Sequence, residues 1–145
     1  MAQDFKALEL REKEVLMENE KHLEGFGDWL RDKGLSQKTI RSHMSNVDFY
    51  INNYLCYYDV SDVKQGAYQI NGFFGSWFIR KAAWSSCAII KSSAAGIKKF
   101  YAYLLENNVV DQEDYDDLCE TIKEFMPDWL DEMKRHEAKI FEDYF

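Results

Sequence analysis

The sequence predicts an all-α fold, on three observations. Helix breakers are scarce, with one proline, Pro127, and seven glycines in 145 residues. Apolar residues recur at threes and fours over long stretches, the spacing of one helix face. No segment alternates apolar and polar residues convincingly enough to read as a strand. With 46% apolar and 16% aromatic residues, the chain is too rich in core-forming side chains for disorder and long enough for one domain with a real core.

The first helix runs from about residue 3 into the low thirties on the stripe Phe5, Leu8, Val15, Leu16, Leu23, Phe26 and Leu30. Glu12 and Asn19 interrupt that stripe, and Gly25 and Gly27 invite a bend. One helix, or two meeting near Asn19, both fit. Gly34 suits the position just past a helix end, and Ser36 the N-cap of the next. The second helix then reaches about Tyr58, with Ile40, Met44, Val47, Ile51, Tyr54 and Leu55 inward. "DVSDVKQG" reads as a polar connection. A third helix covers roughly 64–82, with Ile70, Phe74, Trp77, Phe78 and Lys81 on one side and Gly72 and Gly75 marking close helix contact. Ser85 or Ser86 caps a fourth, running to about Asn107, whose inward face is Ile90, Ala94, Ile97, Tyr101 and Leu104. "NNVVDQ" reads as a turn with two buried valines. Asp111 caps a fifth helix carrying Tyr115, Leu118, Cys119, Ile122 and Phe125. Pro127 suits the first turn of a sixth, carrying Trp129, Leu130, Met133, Ile140, Phe141 and Tyr144. Trp77, Trp84 and Trp129 sit among apolar neighbours and read as core or interhelical packing.

Several function classes are excluded as expectations. No stretch of about 18 apolar residues exists, so no membrane span is expected. "MAQDFKALELREKE" is charged from residue 4 and lacks the apolar region of a secretory signal. Cys56, Cys87 and Cys119 are far apart with no CxxC, which suggests a reducing, cytoplasmic setting and small buried apolar residues, Cys56 and Cys87 inert, rather than disulfides or a zinc site. There is no metal-ligand spacing, no Ser-His-Asp or Cys-His arrangement and no Gly-rich phosphate loop, so neither an enzyme nor a cofactor is expected.

The formal net charge of −8 argues against nucleic acid until its distribution is read. Residues 1–30 carry 8 acids and 4 bases, residues 31–105 carry 4 acids and 10 bases, and residues 106–145 carry 14 acids and 4 bases. The middle is basic between acidic ends, a reason to look for a local anion site. Lys38 and Arg41 open the second helix at the positive end of its dipole, a placement unfavourable by a few tenths of a kcal/mol. At about 100° per residue, Lys38, Arg41, Ser42 and Ser45 share one side of the second helix, opposite Ile40, Val47 and Ile51. On the fourth, Lys91, Ala95 and Lys98 form a stripe with Ser92 and Lys99 beside it, opposite Ile90, Ile97 and Leu104. Asp48 is the one acid in the second helix before Asp59, and the fourth has none before Glu106. Cations, serines and small alanines together suit a phosphate backbone or a groove.

"FGDWLRDKGLSQKTIRSHMSNVDFYINNYL", followed by "SSCAIIKSSAAGIKKFYAYLLENNVV", resembles the N-terminal core-binding domain of tyrosine recombinases and phage integrases. The "GLSQKTI" turn and the "IKKFYAYL" segment carry the likeness, which covers about residues 19–110. It implies a SAM-like, compact orthogonal helical bundle with added helices, residues 1–18 before it and an acidic extension, 111–145, after it. It also implies that the second and fourth helices meet duplex DNA, with Ser36, Lys38, Thr39, Arg41, Lys91 and Lys98 on or near that face. The family's cutting domain needs a His-x-x-Arg pair, but His22, His43 and His136 are followed at the third position by Gly25, Asn46 and Lys139. The expected function is a stand-alone, non-catalytic DNA-binding module in a prokaryotic, phage or archaeal setting, nucleoid-associated, without membrane or small-molecule partner. The alternative is a protein-interaction module, a homodimer or a recombinase's partner, that uses acidic amphipathic terminal helices and has lost DNA binding.

Overall fold

The first helix, α1 (Ala2–Asp32), is a single unbroken rod in the computed structural model, which describes residues 2–82 and 84–144 and the side chains of 4–82 and 84–143. Its stripe enters the core only from Val15 onward, through Asn19, Phe26 and Leu30. Phe5, Leu8 and Leu16, expected inward, are exposed because the helix begins well outside the body. Asn19 does not split it. Its side-chain amide donates to the Asn52 Oδ1 at 2.8 Å, a polar pair that fastens α1 to the second helix.

Gly34, with φ at 81°, ends α1 in the left-handed region that only glycine takes without penalty. The Leu35 N–H donates to the Leu30 carbonyl and Gly34 N–H to that of Arg31, which closes the last turn. Ser36 then caps α2 (residues 37–54) by accepting from the Thr39 N–H at 3.2 Å. The helix is regular over Gln37–Asp48 and widens to a π-helix over Phe49–Tyr54. It stops about a turn short of the expected Tyr58, and Tyr57 and Tyr58 are left on the surface.

The "polar connection" contains a helix. In α3 (Val63–Gly66), Asp62 and Gln65 each accept from the other's backbone N–H at 2.9 Å, a reciprocal capping box. Two fully buried tyrosines fasten it. Tyr50 donates to the Gly66 carbonyl and Tyr101 to the Val63 carbonyl, both at 2.6 Å. The expected third helix therefore starts later, as α4 (residues 70–81), with a π turn over Phe73–Trp77 in its middle. Ile70, Phe74, Trp77 and Phe78 are buried as expected and Lys81 is exposed. Gly72 and Gly75 do stand against neighbouring helices, at Tyr54 and Trp129.

Ser86 caps α5 (Cys87–Glu106), accepting from the Ile89 N–H at 3.1 Å. Its inward face is the expected one, extended by Ser93, Gly96 and Phe100. Of the two valines in the following turn, Val110 is buried and Val109 half-buried.

The expected fifth and sixth helices are one, α6 (Gln112–Tyr144), with Pro127 in its interior rather than at an N-terminus. Leu118, Trp129 and Met133 lie on one stripe that runs past the proline and are all buried in the common core. At about 100° per residue Pro127 lies opposite that stripe, so the carbonyl it leaves unpaired faces water. Ile140 and Phe141 are exposed, since the helix outruns the body, and the side chain of Tyr144 lies outside the described residues. Trp77 and Trp129 are core residues, as expected; Trp84 is not, at 58% exposed. Among the described residues, six helices thus surround one core and there is no strand. None of these helices is long and apolar enough to cross a membrane.

Candidate nucleic-acid interface

The two basic helices, α2 and α5, cross in direct contact. At the crossing, a Cβ on Gly96 would stand 2.8 Å from the His43 Nδ1, so glycine is what allows the approach. His43 is buried there, and its Nδ1 has no hydrogen-bond partner. Burial, and then the charge of Lys99, lower its pKa below 6.5, which keeps the imidazole neutral near pH 7. The histidine is a spacer between the helices, with Lys99 beside it.

This contact orients the sequence-predicted residues. At about 100° per residue, Ser92 lies roughly 40° and Lys99 roughly 60° around α5 from Gly96, on the side next to α2. Lys91 and Lys98 lie roughly 140–160° from Gly96, on the far flank. They stand about 110° from the Ile90–Ile97 stripe rather than opposite it; Ser92 and Lys99 are the residues opposite. Exposed Ala88 and Ala95 form the crest between the two flanks. On α2, Thr39 turns toward α5 and is half-buried, while Lys38, Arg41 and Ser45 point away from the crossing and Ser42 lies between. Ser36 is occupied as the N-cap and Ser92 donates to the Ile89 carbonyl. The structure therefore turns Thr39, Ser92 and Lys99 toward the crossing side and spreads the other residues over two flanks of a basic band.

All five cations of the band, Lys38, Arg41, Lys91, Lys98 and Lys99, are exposed. None forms an ion pair with any described residue. The acidic α6 does not cover them. Its N-terminus is clasped elsewhere: Asp114, nearly buried, accepts from the Lys64 Nζ and the Tyr68 hydroxyl at 2.6 Å and from the Asp111 N–H at 3.0 Å. Burial pushes this carboxyl up, but Lys64, Tyr68 and the Asp111 N–H outweigh it and hold the pKa at about 2.

Farther along, the Cys87 thiol of α5 lies 3.7 Å from the Leu130 carbonyl of α6, so the Leu130 side of α6 borders α5. Lys123 and Lys134 fall within roughly 40° of Leu130, whereas Glu113, Asp117, Glu120, Glu124, Asp128 and Asp131 turn roughly 80–160° away. Lys123 and Lys134 are exposed and lie on the side of α6 that borders α5. The acids on that side are Asp116 and Glu137. Sequence reasoning missed these two lysines because the tail's sum of charges hid their direction.

Away from the band, a groove between α1 and α3, about 370 Å³ in volume, is lined by Arg11, Glu14, Glu18, Lys21, His22 and Asp62 among others. Its signs alternate, and Arg11 reaches Asp62 across it at 3.4 Å. It presents no convergent set of groups. Among the described residues no cluster of His, Cys, Asp or Glu is placed to hold a metal ion.

The class that fold and site define is an all-helical protein with a solvent-facing basic band on two crossed helices. No protein-family model matches the chain, and neither a curated protein nor a solved structure matches it.

Proposed function

We propose that this protein is a duplex-DNA-binding module with a SAM-like, recombinase core-binding arrangement, which holds DNA without cutting it. One observation carries the reading. Five exposed, unpaired cations occupy α2 and α5, while Asp114 is held by Lys64 and most other acids of α6, Asp116 and Glu137 apart, turn away from α5. A chain of net charge −8 that keeps such a band open is arranged for an anion. The serines and the alanine crest allow a backbone to approach, and phosphate contacts from Lys and Arg supply affinity without sequence readout. Lys38 lies in the "GLSQKTI" segment and Lys98 and Lys99 in "IKKFYAYL", so three of the five cations fall in the segments on which the resemblance rests. No cutting role belongs to the proposal, since no histidine is followed by arginine at the third position.

The test is fluorescence anisotropy of a labelled duplex, with the wild type and the quadruple change Lys38→Glu, Arg41→Glu, Lys91→Glu, Lys98→Glu. Micromolar binding at 50 mM salt that disappears in the variant supports the module. No binding by the folded wild type at that salt rejects it.

A second reading has its own observation. Phe5, Leu8 and Leu10 are each more than half exposed on the part of α1 outside the body. A second copy of the chain is their proposed partner. Phe5→Ser with Leu8→Ser should then convert a dimer to a monomer in sedimentation equilibrium; a monomeric wild type at 100 μM ends that reading.

A further inference from the structure

Trp84 ends a line of aromatic rings that the duplex reading leaves unused. Its ring lies 5.3 Å from Phe49, Phe49 lies 5.3 Å from Trp77, Trp77 lies 5.6 Å from Tyr57 and Tyr57 lies 4.6 Å from Tyr58. The middle of the line is buried or half-buried. Both ends are open, with Trp84 at 58%, Tyr57 at 51% and Tyr58 at 69% exposure. A cation accompanies the far end, where the Lys81 Nζ lies 5.1 Å over the Tyr57 ring and donates to its hydroxyl at 3.1 Å.

The line also continues the basic band. Lys38, Ser42, Ser45 and Phe49 follow one another at intervals of three and four along one stripe of α2. Phe49 lies about 16 Å beyond Lys38 along the axis at 1.5 Å per residue, or about five base steps at 3.4 Å per base. A strand tracked by Lys38 and Arg41 therefore arrives at Trp84. The acids nearest the line in sequence are Asp48, whose carboxylate accepts from the Asn52 amide, and Asp59 beside Tyr58. An exposed indole backed by a second ring, at the end of a row of cations, is the arrangement that binds unpaired bases by stacking.

We infer that Trp84 on Phe49, with Tyr57 and Tyr58 beyond, is a stacking site for unpaired bases of a strand that continues from the bound duplex. The inference rests on the DNA reading above and specifies its substrate as a duplex with a single-stranded tail. Backbone phosphates of the duplex lie on the cations, and the first bases past its end stack on the rings.

Three labelled DNAs test it by anisotropy at 100 mM salt: a blunt duplex, the same duplex with a ten-nucleotide tail, and that duplex with an abasic tail of equal length. The abasic tail keeps the phosphates and removes the bases. The wild type should bind the tailed duplex about tenfold tighter than the other two, in line with one stacked base. Trp84→Ala, checked for an unchanged melting curve, should lose that preference and keep its affinity for the blunt duplex. Equal affinity of the wild type for all three overturns the stacking site and leaves the duplex module standing. A preference retained by abasic DNA, or by folded Trp84→Ala, also overturns it. No binding to any of the three overturns the module itself.

Discussion

Asp114 is where the N-terminus of α6 is fastened to the rest of the protein, and replacing it tests that clasp. Its carboxylate is nearly buried and accepts from Lys64, Tyr68 and the Asp111 N–H. Asp111 in turn accepts from the Asp114 N–H at 2.9 Å. Asp114→Ala removes a capping contact of about 1 kcal/mol. It also removes the charge-assisted bonds of the carboxylate, and half-exposed Lys64 is discounted as a solvated partner. A loss of about 2–3 kcal/mol is expected. At roughly 2–4 °C per kcal/mol for a chain of this size, the melting temperature should fall by about 5–10 °C. Asp114→Asn keeps the shape and loses the charge, so it should fall in between. The pH dependence has a definite sign. The folded pKa, about 2, lies below the ordinary 3.8, so the stabilisation is complete above pH 3.8 and is lost as pH falls toward 2. The gap between wild type and Asp114→Asn, followed by circular dichroism in urea, should therefore close over that window. An Asp114→Ala protein that melts within 1 °C of the wild type at pH 7 would refute the clasp.

The salt dependence of DNA binding should lose about 0.9 from its log–log slope for each phosphate contact removed, so Lys91→Gln with Lys98→Gln should flatten it by about 1.8; an unchanged slope places those lysines off the DNA. Tyr101→Phe leaves the buried Val63 carbonyl without its 2.6 Å donor and should cost about 1–3 kcal/mol in urea unfolding, whereas a neutral change would mean that α3 is not held from α5. Pro127→Ala on the solvent face of α6 should stabilise the protein, by up to about 3 kcal/mol; a destabilised variant would show that α6 needs its proline.

Much of this fold was legible in the sequence, and the misreadings have physical causes. Ser36, Ser86 and Asp111 announce helix starts through side-chain oxygens, and all three cap in the structure. Pro127 misled because a start signal was read without its context. The stripe from Leu118 to Met133 keeps its phase across the proline, and phase outranks a single residue when the freed carbonyl faces water. Asp62 and Gln65 have capping-box spacing, yet a four-residue helix exists only because Tyr50 and Tyr101 donate to it from distant segments. The two π turns are illegible for a similar reason. They add no composition signal, and they lie where Tyr54 of α2 packs on Phe73 and Trp77 of α4, a contact between segments distant in sequence. In the candidate site, the sign of the charge on α2 and α5 was readable and its direction was not. Direction depends on the His43–Gly96 contact, which pairs residues 53 apart. Trp84 shows the same limit: its neighbours in sequence suggested packing, and its position at the end of a ring line puts it in water.

The segregated charges make one further demand. At 0.1 M salt the Debye length is about 10 Å, so a phosphate on the band feels mainly the lysines and arginine beneath it, and the acids of α1 and of the far side of α6 are screened. At 0.01 M it is about 30 Å, comparable to the whole domain, and the DNA then feels the full −8. Counterion release favours binding as salt falls, while repulsion by the acids of α1 and α6 grows over the same range. The two oppose each other only when the acids sit farther from the DNA than the band does. The plot of log Kd against log salt should therefore be straight from about 200 down to 50 mM, then flatten or turn toward 10 mM. Glu120→Gln with Glu124→Gln and Asp131→Asn, on the side of α6 away from α5, should restore the straight line without changing its slope above 50 mM. A wild-type plot already straight to 10 mM would mean that the acids never act on the DNA, and the band would then have no need of their distance.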